Sequence, residues 1–302
     1  MTVLVFGGNG QLGQELLRAL APLGPVVAAT RSGLLADGTR CETADFDRPA
    51  ALPALLNRLR PSWVVNAAAY TAVDRAEQEP DAARRANTEA PGEIARWCAR
   101  HGAPLVHYST DYVFDGQSRV PYREDAPTAP LGVYGTTKCD GEDAIRAAGG
   151  RHLIFRIAWI HAAHSSNFLR TMLRLAAAGQ PLRVVSDQIG APTPAALVAD
   201  VTTRALQHPG QLSGTWHLAC AGQTSWHGFA EALLAEAKAM GMLPTLPVVT
   251  PVSSSTFPTA APRPHWSVLD TSKLRRDFGE NLPDWRDGMR SVLAELGKQH
   301  AG

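Results

Sequence analysis

A tyrosine and a lysine four residues apart, Tyr134 and Lys138, are a pair that could carry out proton transfer. Residues with this spacing share one face of a helix, so the pair requires a helix that begins near residue 134. A free tyrosine has a pKa of about 10, and we expect the ammonium group of Lys138 to lower it. Such a tyrosine could protonate a carbonyl oxygen while hydride adds to the carbon. The same spacing also occurs by chance on helix surfaces, so its meaning depends on its surroundings.

Thr110 is the third candidate for this chemistry. It follows an apolar segment, residues 104–109, which is typical of a buried strand. Open parallel sheets bind ligands at the carboxyl ends of their strands. A threonine there could hydrogen-bond a substrate carbonyl and orient it. We therefore expect Thr110, Tyr134 and Lys138 to act together.

Three glycines three residues apart, Gly7, Gly10 and Gly13, lie between a predicted strand over 2–6 and a predicted helix over 11–23. Glycine permits a tight turn and lets the backbone approach a pyrophosphate closely. The N-terminus of the following helix presents free N–H groups and the positive end of its dipole. This context favours a dinucleotide site over a turn without a ligand.

The end of the second predicted strand bears on the choice between NAD and NADP. A carboxylate there binds the ribose 2′-hydroxyl, whereas an arginine accommodates a 2′-phosphate. The chain has Arg31 at this place and no acidic residue beside it. This favours NADPH, although NADH is not excluded and Arg31 could instead be a surface charge.

The elements that must position these residues alternate along the first half of the chain. Strands are predicted over 2–6, 25–30, 63–66, 104–109 and 152–158, and helices over 11–23, 50–59, 81–100 and 134–148. This alternation is typical of an α/β fold with a doubly wound parallel sheet. We expect residues 1–160 to form a Rossmann-type NADP(H)-binding domain.

Residues 161–302 have a less regular pattern. Helices are predicted over 167–178, 194–207 and 285–297, a strand over 182–185, and mostly loop over 244–264, which is rich in Pro, Ser and Thr. We interpret this half as a smaller C-terminal substrate-binding domain, some of whose elements return to the main sheet.

Composition narrows the class of partners. The chain has 302 residues, 29 basic and 28 acidic side chains, and a net charge of +1. This balance gives no steering toward nucleic acid or anionic membranes. The four cysteines are far apart, which predicts free thiols. No spanning segment and no signal peptide are recognisable, so we expect a cytoplasmic protein.

Taken together, these motifs resemble the extended short-chain dehydrogenase/reductase superfamily and, more narrowly, the dTDP-4-dehydrorhamnose reductases. The more specific marks are residues 66–74 (NAAAYTAVD), 109–116 (STDYVFDG), 155–159 (FRIAW), 187–193 (DQIGAPT) and the pair Arg263-Pro264. The resemblance runs over nearly the whole chain. It implies NADPH-dependent reduction of the 4-keto group of a dTDP-sugar.

The resemblance also implies roles for individual residues. Thr110, Tyr134 and Lys138 would be catalytic. Cofactor contacts would come from Gly7, Gly10, Gln11, Leu12, Gly13, Arg31, Asp45, Phe46, Ala67, Ala68, Ala69, Tyr134 and Lys138, with Asn87 as a further candidate. Substrate contacts would come from Thr71, Val73, Asp111, Tyr112, Trp159, Gln188 and Arg263.

One departure from the family concerns a metal ion. Some members form a homodimer around Mg²⁺ held by glutamates, and Glu15 and Glu295 match two of those positions. The third position is Ala196, which has no oxygen ligand for such a hard cation. We therefore expect no metal site here, and either a monomer or a homodimer without one.

Two other functions fit the same motifs. A nucleotide-sugar 4-epimerase or 4,6-dehydratase would retain NAD and return the hydride to the sugar. The missing acid after the second strand argues against this, as does the single acid in Asp111-Tyr112, where dehydratases have two. A regulatory binding subunit would use the fold without catalysis, but the complete set of Thr110, Tyr134 and Lys138 favours an enzyme.

Overall fold

Short apolar runs form the strands, and amphipathic segments form the helices that connect them. The computed structural model describes residues 1–301, with only the backbone for 299–301. The strands are β1 (Val3–Phe6), β2 (Val26–Thr30), β3 (Glu42–Thr43), β4 (Trp63–Asn66), β5 (Leu105–Thr110), β6 (His152–Ile157), β7 (Ile160–His161), β8 (Leu182–Val185), β9 (Ile189–Gly190), β10 (Thr193–Pro194), β11 (Gly214–Leu218), β12 (Thr224–Ser225) and β13 (Val249–Val252). The α-helices are α1 (Gln11–Leu20), α2 (Leu52–Leu59), α3 (Val73–Ala76), α4 (Pro80–Arg84), α5 (Ala90–His101), α6 (Val133–Ala147), α7 (Phe168–Ala177), α8 (Ala195–Gln207), α9 (Trp226–Ala239), α10 (Ser272–Phe278) and α11 (Trp285–Ala301).

Seven strands form the main sheet in the order β11-β6-β5-β4-β1-β2-β3. Every neighbouring pair in it is parallel. The order reverses direction at β1, so β1 and β4 flank the point where the connections diverge and leave a crevice. The doubly wound parallel sheet predicted from the sequence is confirmed.

The two faces of the sheet are covered by different helices because side chains alternate along each strand. In β1, Val3 and Val5 pack on one face with α1 and α8. Leu4 and Phe6 pack on the other face with α2, α5 and α6. Both faces are buried, which explains the continuous apolar runs of these strands.

The later part of the chain has a core of its own. Helices α7, α9 and α11 pack around the parallel pair β8 and β13. The prediction of loop over 244–264 is wrong at β13, whose residues 249–252 pair with β8. Because this sheet has only two strands, each is an edge strand, where Pro251 is tolerated. Helix α9 and strand β11, which joins the main sheet beside β6, were not predicted from the sequence.

The predicted helix over 81–100 is interrupted. A π-turn over Arg85–Glu89 separates α4 from α5, and such turns often accompany functional sites. The four cysteines are free, as predicted. Among residues 1–301 there is no helix of the length and apolarity that a membrane crossing requires.

Candidate active site

The glycine loop fits its role through contacts that leave no room for side chains. Gly7 has φ +81°, and a Cβ there would lie 2.7 Å from the backbone nitrogen of Ala68. A Cβ on Gly13 would lie 2.0 Å from the Gly7 oxygen. Gly13 therefore acts by packing α1 against the loop, whereas Gly7 and Gly10 line the cleft. None of the described side chains caps the N-terminus of α1 at Gly10. The N–H groups at the start of this helix can therefore donate hydrogen bonds to a bound anion.

The opposite wall of the loop follows β4. Ala67, Ala68 and Ala69 line the same cleft, and the Ala68 N–H donates to Asn66 Oδ1 at 3.1 Å. Small side chains let this backbone stand close to Gly7. The geometry suits a dinucleotide lying between the two loops.

Arg31 reaches the cleft from the end of β2 and is exposed. Its guanidinium lies 4.0 Å from Asp47 Oδ2, and Asp47 also accepts a hydrogen bond from Arg85. Asp45 and Phe46 line the same wall. Asp47 was not predicted from the sequence, because it lies in the segment after β3 and no local pattern encodes the placement of that segment beside β2.

Thr110 ends β5 at the carboxyl edge of the sheet. Its hydroxyl donates to Asp111 Oδ1 at 3.1 Å and accepts from the Tyr112 N–H at 3.1 Å. Tyr134 stands beside it on the first turn of α6, which begins at residue 133. A hydrogen bond with Thr110 lowers the pKa of Tyr134, but burial outweighs it and raises that pKa to about 12.

The direction of this shift differs from the sequence expectation. Lys138 is buried, and its ammonium donates to the Tyr108 carbonyl at 2.6 Å and lies 3.2 Å from His107 Nε2. Burial lowers the pKa of Lys138 to about 8. Desolvation of the phenol therefore dominates the pKa of Tyr134 in this state, and Tyr134 carries its proton near neutral pH, as a proton donor must.

Asp111 and Tyr112 continue the wall from Thr110. Asp111 is buried, and its Oδ2 has no hydrogen-bond partner among the described residues. Burial raises the pKa of Asp111 to about 6, against smaller opposing effects of the Ser267 and Thr110 hydroxyls. The Tyr112 ring meets the Tyr134 ring edge-on at 5.8 Å. An unpartnered carboxylate oxygen in a cleft is suited to accept a ligand hydroxyl.

Trp159 and Trp226 form an aromatic stack on the wall of the cleft. Their ring centroids are 3.6 Å apart at an interplanar angle of 4°. Both residues line the same cleft as the glycine loop. Trp159 has φ +48°, which is rare for a residue with a side chain. Gly190 makes room for its ring, since a Cβ there would lie 2.5 Å from Trp159 Cε2.

Sequence reasoning missed Trp226. It begins α9, a helix that the sequence analysis did not assign, and lies 67 positions after Trp159. The signal available was Ser225, whose hydroxyl accepts from the Gly228 N–H and caps the helix. Thr71 and Val73, for which the resemblance implies substrate contacts, line the cleft together with Gln11 and Leu12 of the glycine-loop region.

Two predicted substrate contacts lie outside this cleft. Gln188 is buried in the segment between β8 and β9. Arg263 donates to Asp74 Oδ2 at 2.6 Å, and its buried Nε has no partner among the described atoms. Asn87 is also absent from the cleft wall, because it is buried between Tyr70 and Thr137.

Glu15, one of the two glutamates at the expected metal positions, is paired with two side-chain donors. Its carboxylate accepts from His164 Nε2 at 2.8 Å and from Arg18. Ala196 contributes no ligand, and no group of three metal-binding side chains occurs in the described part of the chain. The side chains present instead satisfy Glu15 with two donors.

Comparison with known proteins places this geometry in a family. Residues 1–298 match the RmlD substrate binding domain. The dTDP-4-dehydrorhamnose reductase of Burkholderia thailandensis is 46% identical over 305 residues, covering 98% of this chain and 99% of the relative. The enzyme of that name from Escherichia coli K12 is 42% identical over 299 residues, covering 98% of each.

A solved structure agrees in fold. The crystal structure of dTDP-4-dehydrorhamnose reductase from Bacillus anthracis in complex with NADP has a TM-score of 0.88 and 32% identity, covering 97% of this chain and 99% of that one. The resemblance inferred from the sequence is confirmed, and the chain belongs to the RmlD substrate binding domain family.

Proposed function

We propose that this chain reduces the 4-keto group of dTDP-4-dehydro-L-rhamnose to give dTDP-L-rhamnose, with NADPH as the reductant. One observation carries the proposal. A single cleft of about 1080 Å³ at the carboxyl edge of the sheet is lined by Thr110, Tyr134 and Lys138 together with the glycine loop. The two relatives described above, which match over almost their full length, are both named dTDP-4-dehydrorhamnose reductase.

The dinucleotide would lie along the glycine loop. Gly7, Gly10, Gln11 and Leu12 would contact the pyrophosphate, and the N–H groups at the start of α1 would stabilise its charge. Residues 67–69 would cover the other side. NADPH supplies the hydride when bound.

Proton transfer falls to Tyr134. Its O–H bond breaks as the proton passes to the carbonyl oxygen of the substrate, which becomes the new hydroxyl, and the phenolate is left on Tyr134. Thr110 would turn its single hydroxyl proton from Asp111 Oδ1 to the same carbonyl and so orient it. Lys138 would bind the nicotinamide ribose and stabilise the phenolate by its charge.

The sugar would occupy the end of the cleft near Trp159. Thr71, Val73, Asp111 and Tyr112 line the same cleft, and the ring of Trp159 could pack on the sugar. Arg263 and Gln188 would take part only after movement, because they lie outside the cleft in this structure. The chemistry would then combine a domain of residues 1–160 for the dinucleotide with one of 161–302, mainly for the sugar.

Cofactor choice would depend on Arg31 and Asp47 together. Arg31 can pair with a ribose 2′-phosphate, while the Asp47 carboxylate would disfavour one by repulsion. We therefore propose that NADPH is preferred and that NADH also serves.

The test is a direct assay. Purified protein is mixed with NADPH and enzymatically prepared dTDP-4-dehydrorhamnose, and the absorbance of reduced nicotinamide is followed while the product is identified. Substrate-dependent oxidation with formation of dTDP-rhamnose is expected, faster with NADPH than with NADH. Purified protein with tightly bound NAD and no net oxidation would indicate an epimerase or dehydratase instead. Nucleotide binding without any turnover would indicate a regulatory role.

A further inference from the structure

Three buried polar side chains form a row behind the catalytic edge. Asn66 ends β4, His107 lies on β5 and Lys138 lies on α6, and each is almost fully buried. Asn66 Nδ2 is 3.1 Å from His107 Nδ1, and His107 Nε2 is 3.2 Å from Lys138 Nζ. The proposed function uses only Lys138 from this row.

A backbone group fixes the orientation of Asn66. The Ala68 N–H donates to Asn66 Oδ1 at 3.1 Å, so the oxygen must face the backbone and the amide nitrogen must face His107. An amide nitrogen can only donate. His107 Nδ1 must therefore accept, and it carries no proton.

The single proton of a neutral His107 ring must then be on the other nitrogen, Nε2. Complete burial, together with the charge of Lys138, holds the pKa of His107 well below its ordinary value, so the ring is neutral. A neutral imidazole carries one proton, and with Nδ1 accepting, this proton is on Nε2. The Nε2–H group thus points at Lys138 Nζ.

An ammonium group is a poor neighbour for this donor. It has three donors and no acceptor, whereas the uncharged amine has a lone pair that can accept from Nε2–H. One ammonium proton is used by the Tyr108 carbonyl. The contact with His107 therefore favours the amine over the ammonium form.

Other titratable groups near Lys138 act in known directions. Glu142, one turn further along α6, raises the pKa of Lys138, but its charge is shared with Arg156 and Arg146. Tyr134 on the same helix is neutral near pH 7, because burial raises its pKa. His107 on β5 is the neutral group in direct contact, and its tautomer decides the sign of that contact.

We propose that Asn66 and His107 are positioning residues that hold the proton of His107 on Nε2 and so destabilise the ammonium form of Lys138. Lys138 then exchanges its proton closer to neutral pH than an ordinary lysine does. The idea rests on the proposed role of Lys138 for its catalytic consequence, but the tautomer itself is a property of the protein without ligands.

The first experiment observes that tautomer. Protein labelled with ¹⁵N-histidine is studied by NMR without ligands, and the His107 signals are assigned by their loss in His107→Phe. We expect Nε2 to be protonated and Nδ1 to be bare. A bare Nε2 with a protonated Nδ1 overturns the proposal, and this result needs neither turnover nor an Asn66 variant that folds.

The second experiment reverses the tautomer. In Asn66→Asp the carboxylate accepts from both the Ala68 N–H and His107 Nδ1–H, which leaves Nε2 as an acceptor for the ammonium group. We expect the pKa of Lys138 to rise by on the order of one unit or more. The chain has only four lysines, Lys138, Lys238, Lys273 and Lys298, so ¹³C-lysine NMR resolves the titration.

A matched background separates this effect from simple charge attraction. With His107→Phe present, Asn66→Asp keeps its negative charge but cannot act through a tautomer. The rise should then largely disappear, and an equal rise in both backgrounds overturns the proposal.

Activity gives the last readout. If the ammonium form is needed, kcat/KM falls as pH rises through the Lys138 pKa, and Asn66→Asp moves that fall to higher pH. If the NMR results are as expected but the fall of kcat/KM stays at the same pH in Asn66→Asp, the inference about the His107 tautomer is supported and the proposed catalytic role of Lys138 is contradicted.

Discussion

At the glycine-loop end the wall of the cleft is backbone, whereas at the Trp159 end it consists of large side chains. Gly7 and Gly13 leave no space for even a Cβ, while Trp159 and Trp226 fill their space with stacked rings. Substitutions that add atoms should therefore disrupt the glycine loop, whereas substitutions that remove atoms should disrupt the stack of Trp159 and Trp226. The proposed catalytic residues Thr110, Tyr134 and Lys138 line the same cleft, and there a single hydroxyl group matters.

The largest effect on the rate is expected from the hydroxyl group of Tyr134. Tyr134→Phe removes only the proton donor, so kcat should fall by about 10²–10⁴-fold while NADPH affinity changes little. Steady-state oxidation of NADPH and calorimetric titration measure the two quantities. Tyr112→Phe is the matched control in the same cleft and should reduce kcat much less. An equal loss of kcat in both variants would show that Tyr134 is no more important to proton transfer than Tyr112, which only lines the cleft.

Asp111 tests the side-chain end through pH. Burial raises its pKa from 3.8 unfolded to about 6 folded, so the neutral carboxyl stabilises the fold below about pH 4, and this contribution is lost as pH rises through about 6. The free energy of unfolding of the wild type, relative to Asp111→Asn, should therefore fall by about 2 kcal/mol between pH 4 and 7. Denaturant titrations at several pH values measure it.

The control for Asp111 is a nearby aspartate with the opposite shift. The pKa of Asp115 is lowered, chiefly by the hydrogen bond from the Tyr122 hydroxyl. Asp115 therefore stabilises the fold above the unfolded pKa, and this contribution is lost as pH falls. Asp115→Asn should show the reverse pH dependence, and the same slope for both variants would contradict the assignment.

At the backbone end a single methyl group is the perturbation. Gly13→Ala places a Cβ 2.0 Å from the Gly7 oxygen, which forces the loop to move and should reduce stability by about 1–3 kcal/mol. Weaker NADPH binding should accompany it. Gly10→Ala is the control, because its Cβ would meet the same oxygen at 3.3 Å. Thermal melts that do not separate the two variants would argue against a close-packed loop.

The smallest effect is expected from the aromatic stack. Trp226→Leu removes the ring that supports Trp159, and a stacked pair contributes about 0.5–1.5 kcal/mol. The KM for the sugar nucleotide should rise by about 2- to 10-fold while the KM for NADPH stays constant. Trp226→Phe retains a ring and should lie near the wild type. A rise in the KM for NADPH instead would show that Trp226 supports cofactor binding and not sugar binding, which contradicts the prediction.

This contrast also explains what the sequence could predict. The glycine loop, five of the seven strands of the main sheet and the Tyr134–Lys138 helix depend on neighbouring residues, and their bounds were predicted to within a few residues. The strands at the two edges of this sheet, β3 and β11, were not predicted. The Trp226 stack and Asp47 beside Arg31 depend on packing between distant segments. β13 was missed because its pairing with β8 overrides a composition typical of loops.

Asn87 ties two parts of the site together from behind. Its side chain accepts from the Tyr70 N–H and donates to the Tyr70 carbonyl and to Thr137, next to Lys138 in the chain. Movement of α6 away from this segment must break the Asn87–Thr137 hydrogen bond together with the one from Thr88 to the Thr137 carbonyl. The wall with Tyr134 is thus a poor starting point for evolving a new sugar specificity. Trp226 stands on a lobe with a separate core, where changes leave the reacting groups in place, and we expect relatives with other substrates to differ there first.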